Sequence, residues 1–407
     1  VRQLFLQKNT DMRKSEFVDN IHYVGVNDRT KTLFESLWPL PYGVSYNAYL
    51  IDDEKTALID TVDIAYTDRL IENVQNILGG RTLDYLVIHH MEPDHSAAIG
   101  ILRSIYPDMI LVGNAKTLDM VKGYYGIDCR TLTVKDGETL SFGKLELTFA
   151  LTPMVHWPET MMSYCPQRQL LFAGDAFGCF GALDGGITDR ELELEKYWNE
   201  MYRYYSNIVG KYGAPVQAAL KKLAGIPVQT ICSTHGPIWQ EQVEKVIGLY
   251  NTMSLYQAEK GVVIAYGSMY GHTEAVAEEI AAQLRQAGVS PVIVHNVSYV
   301  HESYILRDIF RYDTLILGGP TYNGELFPPI AHLTHAIASR GIKQRKFGCF
   351  GSYTWAGVNI KRLTAFAEEM GWQTAENPVE IKQGFSADDK ERCAVFARSI
   401  AELMNRK

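Results

Sequence analysis

Apolar residues along the chain change their period repeatedly, and each change predicts a change of element. Short β-type runs come first, at 21–26, 46–51 and 56–59, with Asp52 and Asp53 placed to turn the chain between the last two. From 66 to 78 the spacing is helical: Leu70, Ile71, Val74 and Leu78 share a face, and Gly79-Gly80 ends the helix. The run 83–88 predicts a buried strand, Ser96 an N-cap for a helix over 97–106, and 109–112 a strand followed by a helix through 120–125. Between 129 and 175 the pattern is all-β, with runs at 131–134, 145–151, 161–164 and 170–173. Two helices follow within 189–224, then a strand at 228–232 and a helix over 240–256. Strand-rich halves flanked by helices predict a four-layer αββα sandwich.

A second pattern begins near 258–260, so the chain is read as two domains, 1–258 and 259–407. The unbroken apolar run 262–266 has the character of a strand buried on both faces, and a helix over 274–286 follows it, stopped by Gly288. Further strands at 291–295, 314–317, 346–350 and 378–381 alternate with helices, which predicts a doubly wound parallel sheet. The fold class is therefore α/β in both halves.

Composition narrows the function more than the fold. With 407 residues, 46% hydrophobic and 21% charged, the chain can bury sizeable cores, and its net charge of -8 offers no basic footprint for nucleic acid or an anionic membrane. No run approaches the roughly 20 apolar residues of a membrane helix, and Val1 to Lys14 has no signal-peptide core, so a cytoplasmic protein is expected, with Met12 a plausible native start. The six cysteines form no C-x-x-C pair. A disulfide scaffold is not expected, nor a thiolate iron site, so any electrons must come from outside.

The candidate chemistry starts where the strand 83–88 opens into His90-Met91-Glu92-Pro93-Asp94-His95. One histidine there would be an ordinary loop residue; two imidazoles and two carboxylates in so short a stretch point to metal. His156, Asp175 and His235 also follow predicted strands, and strand ends on one edge of packed sheets bring distant loops together. Four imidazoles and three carboxylates exceed what one four-coordinate ion needs, so two metals are expected. In an extended loop His90 and Glu92 point the same way toward one ion, Asp94 and His95 can turn to the other, and Asp175 is placed to bridge both.

In the second domain Ser268-Met269-Tyr270-Gly271-His272-Thr273 lies between a strand and a helix, where backbone N–H groups and the hydroxyls of Ser268 and Thr273 suit a phosphate. Two more strand-end loops follow: Pro320-Thr321-Tyr322-Asn323-Gly324, and Ser352-Tyr353-Thr354-Trp355-Ala356-Gly357. Trp355 or Tyr353 is free to stack on a ring system. No full G-x-G-x-x-G and no ribose-binding acid is present, which argues against a resident NAD.

The H-x-E-x-D-H stretch, Thr152 to Pro158, Gly174-Asp175 and Ser233-Thr234-His235-Gly236 resemble the metallo-β-lactamase superfamily, with Glu92 where its hydrolases usually have a second His. That departure, together with flavodoxin-like loops, is similar to the flavodiiron proteins over nearly the whole chain. The resemblance implies a metallo-β-lactamase-like diiron domain, a flavodoxin-like FMN domain, and reduction of O2 to water, NO to N2O, or both. It further implies two non-haem irons, electrons from rubredoxin or a similar donor, and a head-to-tail homodimer or dimer of dimers. Carboxylate and imidazole ligands suit iron, whereas zinc performs no redox step. Two departures stand out: Tyr270 replaces a Ser or Thr usual in flavodoxin loops, and Glu35 occupies a segment where many members have a His. Glu35 and Tyr205 are the candidate catalytic side chains beside the metals, although Tyr205 on a helix also fits a core aromatic. The competing readings are a binuclear zinc hydrolase with an appended flavodoxin-like module, and a non-catalytic electron carrier.

Overall fold

The computed structural model describes residues 15–406; Val1 to Lys14, Met12 included, lie outside the described residues. Two compact units emerge, one of Val1–Met201 with Ala214–Asn251 and the other of Tyr202–Gly213 with Thr252–Lys407.

The first unit is a sandwich of two sheets. In the seven-stranded sheet, Glu16–Val18, Ile21–Tyr23, Tyr49–Asp52 and Thr56–Ile59 run antiparallel, and Tyr85–Val87, Ile110–Gly113 and Thr131–Thr133 continue in parallel. The five-stranded sheet takes Thr139–Ser141, Glu146–Leu151, Met161–Cys165 and Leu170–Gly174 in antiparallel order and adds Thr230–Ser233 in parallel. Their inner faces share one core, in which Ile51, Ile59, Val87 and Val112 meet Leu147, Phe149, Met161 and Phe172. Alternation places these residues inward on every strand, and their burial supplies the main favourable term for joining the sheets. The helices Thr67–Leu78 and Ala115–Tyr125 pack on the first sheet; Leu70, Val74 and Leu78 form the buried stripe of the former, and Gly79, at φ +57°, caps it.

Two expectations change. Ser96 does not cap a helix over 97–106: it ends the short helix Pro93–Ser96, and its hydroxyl donates to the carbonyls of Met91 and Glu92 at 2.8 and 3.0 Å, while Ile99–Ile105 starts later. The Ser96 side chain is directed back at the preceding loop, and the N-cap position of Ile99–Ile105 falls to Ala98, which has no capping side chain. The strand Thr139–Ser141 was not anticipated, because it is short and largely exposed and so leaves no apolar signature.

The second unit is a doubly wound sheet with strand order Val292–Asn296, Glu259–Tyr266, Tyr312–Tyr322, Lys346–Tyr353 and, after it, Val379–Lys382, all parallel. The chain leaves Glu259–Tyr266 for one side of the sheet and returns on the other, so the ends of Glu259–Tyr266 and Tyr312–Tyr322 flank a topological switch point. Val262, Ile264, Ile316 and Phe350 are buried under the helices His272–Gln286 and Ala387–Asn405. The segment Tyr202–Gly213 belongs here too. Its Gly210 backs onto Phe310, whose ring would lie 2.6 Å from an added Cβ. Asn207 Nδ2 donates to Ser303 O at 3.1 Å, and Ser206 O accepts from Arg340 Nε at 3.0 Å. Among the described residues no helix is long and apolar enough to cross a membrane, and the six cysteines are free thiols.

Candidate functional site

Each of the seven metal-ligand candidates follows a strand of the sandwich. His90 to His95 follow Tyr85–Val87, His156 follows Glu146–Leu151, Asp175 follows Leu170–Gly174 directly, and His235 follows Thr230–Ser233. All seven are buried. Gly236, at φ +81°, turns the chain after His235 against Cys179, whose Sγ would lie 2.4 Å from any added Cβ, so this turn requires glycine.

The donors fall into two groups, His90 with Glu92, His156 and Asp175, and Asp94 with His95 and His235, the ligating atoms in each lying within 4.8 Å of one another. His156 Nε2 is 3.2 Å from Glu92 Oε2 and 3.0 Å from Asp175 Oδ2, and His90 Nε2 is 3.2 Å from Glu92 Oε2. On the other side His95 Nε2 lies 3.1 Å from Asp175 Oδ1 and 3.1 Å from His235 Nε2. Asp175 thus turns one oxygen toward each group, as a shared carboxylate must. The donor set fits cations on two grounds. Two ring nitrogens 3.1 Å apart can share at most one proton, and both buried oxygens of Asp94 lack a hydrogen bond, with the nearest imidazole nitrogens at 3.5 Å.

The electrostatics follow from this crowding. Burial opposes charge on His90, His156 and His95, but Asp175 and the other carboxylates outweigh it and lift the rings to about 10, about 10 and about 9. Burial and then His95 push His235 down to about 4, and burial raises Asp94 to about 7. Burial would also raise Glu92 and Asp175, yet the imidazoles facing them hold both carboxyls below the usual range. Glu159 was missed in the sequence. Its Oε1 accepts from His90 Nδ1 at 3.0 Å and from Met91 N at 2.9 Å, which fixes the His90 tautomer with Nε2 toward the metal. Its position three residues after His156 was the available signal.

Glu35 and Tyr205 are placed differently. Glu35 sits in a left-handed turn at φ +49°, accepts from Trp38 Nε1 at 2.9 Å, and faces Glu92; burial and then the charge of Glu92 raise its carboxyl to about 7. Tyr205 lies in the second unit, its ring 6.0 Å from Phe310, and burial followed by Tyr256 raises its hydroxyl pKa. These neighbours give it the surroundings of a core aromatic.

At the switch point of the second unit the three predicted loops come together. Ser268 Oγ accepts from Gly271 N at 3.1 Å and shapes the turn into His272–Gln286; Gly271 has φ +88° and open space where a Cβ would stand. Thr273 Oγ1 and Ser352 Oγ are 2.8 Å apart, so the first and third loops are tied, and the Thr273 hydroxyl expected to face phosphate already has this partner. Thr321 Oγ1 accepts from Val358 N at 3.1 Å and Asn359 Nδ2 at 3.0 Å, tying the second loop to the start of the helix that follows the third. Tyr270 is 86% exposed and Trp355 88%. Braced loops, a helix N-terminus and two open aromatic faces fit a phosphate-bearing planar cofactor such as FMN.

Two family models match the chain: the ODP family beta lactamase over residues 44–236 and flavodoxin over 264–396. The anaerobic nitric oxide reductase flavorubredoxin of Vibrio vulnificus is 32% identical over 95% of this chain and 79% of its own length. The rubredoxin-oxygen oxidoreductase of Megalodesulfovibrio gigas is 31% identical over 97% of this chain and 99% of its own. Among solved structures, rubredoxin oxygen:oxidoreductase from Desulfovibrio gigas superposes with a TM-score of 0.91 at 30% identity, covering 96% of this chain and 98% of that one. A flavo-diiron protein of Thermotoga maritima gives 0.88 at 26% identity, with coverage of 96% and 98%. The lactamase-like sandwich with its two donor groups, the flavodoxin-like sheet, and relatives of this likeness over the full length place the chain in the flavodiiron protein family.

Proposed function

We propose that this enzyme reduces O2 to water, NO to N2O, or both, taking electrons through FMN from an external donor such as rubredoxin. One observation carries the reading: two groups of buried imidazole and carboxylate donors meet at Asp175. His90, Glu92, His156 and Asp175 would hold one iron, and Asp94, His95, His235 and Asp175 the other. Iron and flavin supply the electron transfer that no side chain can. The chain's own part is to seat the metals in a buried edge, to keep Nε2 of His90 facing them through Glu159, and to offer the Glu35 carboxyl beside Glu92 as a proton source. Ser268 to Thr273, Pro320 to Gly324 and Ser352 to Gly357 would hold FMN. The covalent boundary is proposed at 258/259, between the two matched family models. The zinc hydrolase reading is set aside, because the full-length relatives are oxidoreductases by name.

A head-to-tail homodimer, or a dimer of dimers, would bring a partner's flavin to these metals. Exposed apolar groups support it at both edges: Leu37 beside Glu35, Tyr124 with its ring tilted toward Trp157 at 6.4 Å, and Tyr270 and Trp355 at the flavin loops. The free thiols suit a cytoplasmic setting. The test is anaerobic purification with iron and FMN counted per chain, followed by O2 and NO consumption with reduced rubredoxin. Consumption of neither gas by the loaded protein overturns the proposal. A Tyr205→Phe variant with unchanged rates on both gases removes that hydroxyl from the site.

A further inference from the structure

We propose that His89, which turns away from the metals, is a positioning residue that sets the spacing of the two sheets at the metal edge, acting with Asp60 and Ser163. The inference rests on the metal-pair reading above. His90, Glu92, Asp94 and His95 come from the seven-stranded sheet, whereas His156, Asp175 and His235 come from the five-stranded one. A first metal held by His90, Glu92, His156 and Asp175 therefore depends on the distance between the two sheets.

His89 spans that gap. On the first sheet, Asp60 follows Thr56–Ile59 with φ +57°, and its two carboxylate oxygens accept from His89 N at 2.7 Å and from His89 Nδ1 at 2.8 Å. With the proton on Nδ1, Nε2 is left as an acceptor, and Ser163 Oγ of the second sheet donates to it at 2.8 Å. Met161 N donates to His89 O at 3.1 Å, closing a second link between the same segments. Ser163 pairs in register with Phe172, on the strand that leads directly into Asp175, and with Phe149, on the strand leading to His156. The adjoining Asp60-Thr61 backbone holds the metal loop at both ends, through Asp60 N to Val87 O at 2.8 Å and Thr61 N to His95 O at 2.9 Å.

Asp, His and Ser in this order resemble a hydrolytic triad, but His89 and Ser163 are 0% exposed and Asp60 2%, so no substrate reaches the hydroxyl. Their work is geometric: a satisfied buried chain of hydrogen bonds has one preferred length.

The test uses Co2+ as the metal probe, titrated anaerobically into the full-length, metal-depleted protein with FMN retained. Wild-type protein is expected to bind two Co2+ per chain; fewer would overturn the metal-pair reading itself. Ser163→Ala, and His89→Asn, which keeps a donor for Asp60 but is too short for Ser163, should each weaken one of the two Co2+ steps about tenfold and shift its ligand-field bands. Ser163→Thr, which keeps the hydroxyl, should restore both. FMN content should not change. Wild-type affinity and spectrum in both Ser163→Ala and His89→Asn would overturn the inference, as would a Ser163→Thr variant as impaired as Ser163→Ala.

Discussion

The metal edge of the sandwich and the flavin edge of the parallel sheet both use loops at strand ends, yet they are prepared in opposite ways. At the metal edge every donor is buried, His90 and His235 are oriented by Glu159 and the Ser45 carbonyl behind them, and imidazoles and carboxylates compensate one another in charge. At the flavin edge the loops are tied to one another and to the following helix by Thr273, Ser352 and Thr321, but the aromatic faces stand in solvent. The first arrangement concentrates charge that only a cation or shared protons can relieve, so its failure modes are electrostatic. The second leaves apolar area waiting for a planar ligand, so its failures should be graded and local.

The sharpest way to break this contrast is Asp175→Ala. Removing the carboxylate both donor groups share should cut gas consumption more than about a hundredfold, beyond the range for supporting residues, and deplete iron while FMN stays. Iron analysis and flavin absorbance check it, and retained iron would refute the shared role. Glu35→Gln should leave both cofactors in place yet slow turnover about tenfold, the effect of losing a proton donor without losing shape; rubredoxin-coupled gas electrodes measure it. Trp355→Ala should cost about 1 kcal/mol of FMN affinity, roughly fivefold by fluorescence titration, with iron unchanged. Iron loss in that variant would show the two edges to be interdependent.

A separate effect, on stability alone, lies away from both cofactors. Burial opposes the Asp308 carboxylate, but hydrogen bonds from His295 Nε2 at 2.7 Å and Arg307 Nε at 2.7 Å hold its pKa below the ordinary value. A folded-state pKa below the unfolded one gives stability that is present above about pH 4 and lost as pH falls through the lower, folded value. Asp308→Asn should therefore lower the stability of the flavodoxin-like unit at pH 7 by about 1–3 kcal/mol. The difference should shrink in acid, as followed by thermal melts across pH.

Local chemistry was readable in the sequence wherever it was compressed. Four ligands within His90 to His95, and glycines beside strand ends, announce themselves by type and spacing. Strand positions of the parallel sheet followed from unbroken apolar runs, since both faces are covered. What stayed hidden depends on side-chain direction. Glu159, Asp60 and Ser163 look like common surface residues until the fold turns them inward, and Ser96 looks like a cap until its hydroxyl is found serving the loop behind it. Tyr205 shows how a type leaves two readings open: on a helix it suits either a donor or a core aromatic, and only its neighbours, Phe310 and Tyr256, bear on the choice.

The segment Tyr202–Gly213 has a consequence for how such a protein can be divided. The chain enters the flavodoxin-like unit there, returns to the sandwich, and enters again at Thr252. A flavin module cut out at 258/259 would leave Gly210 and the carbonyl of Ser206 behind, uncovering Phe310 and removing one acceptor of Arg340. Such a fragment should aggregate or melt at lower temperature than the same fold in the intact chain. The two halves look like interchangeable cassettes in the linear sequence, but recombination at the linker would not exchange them cleanly: this stretch has to travel with the flavin half.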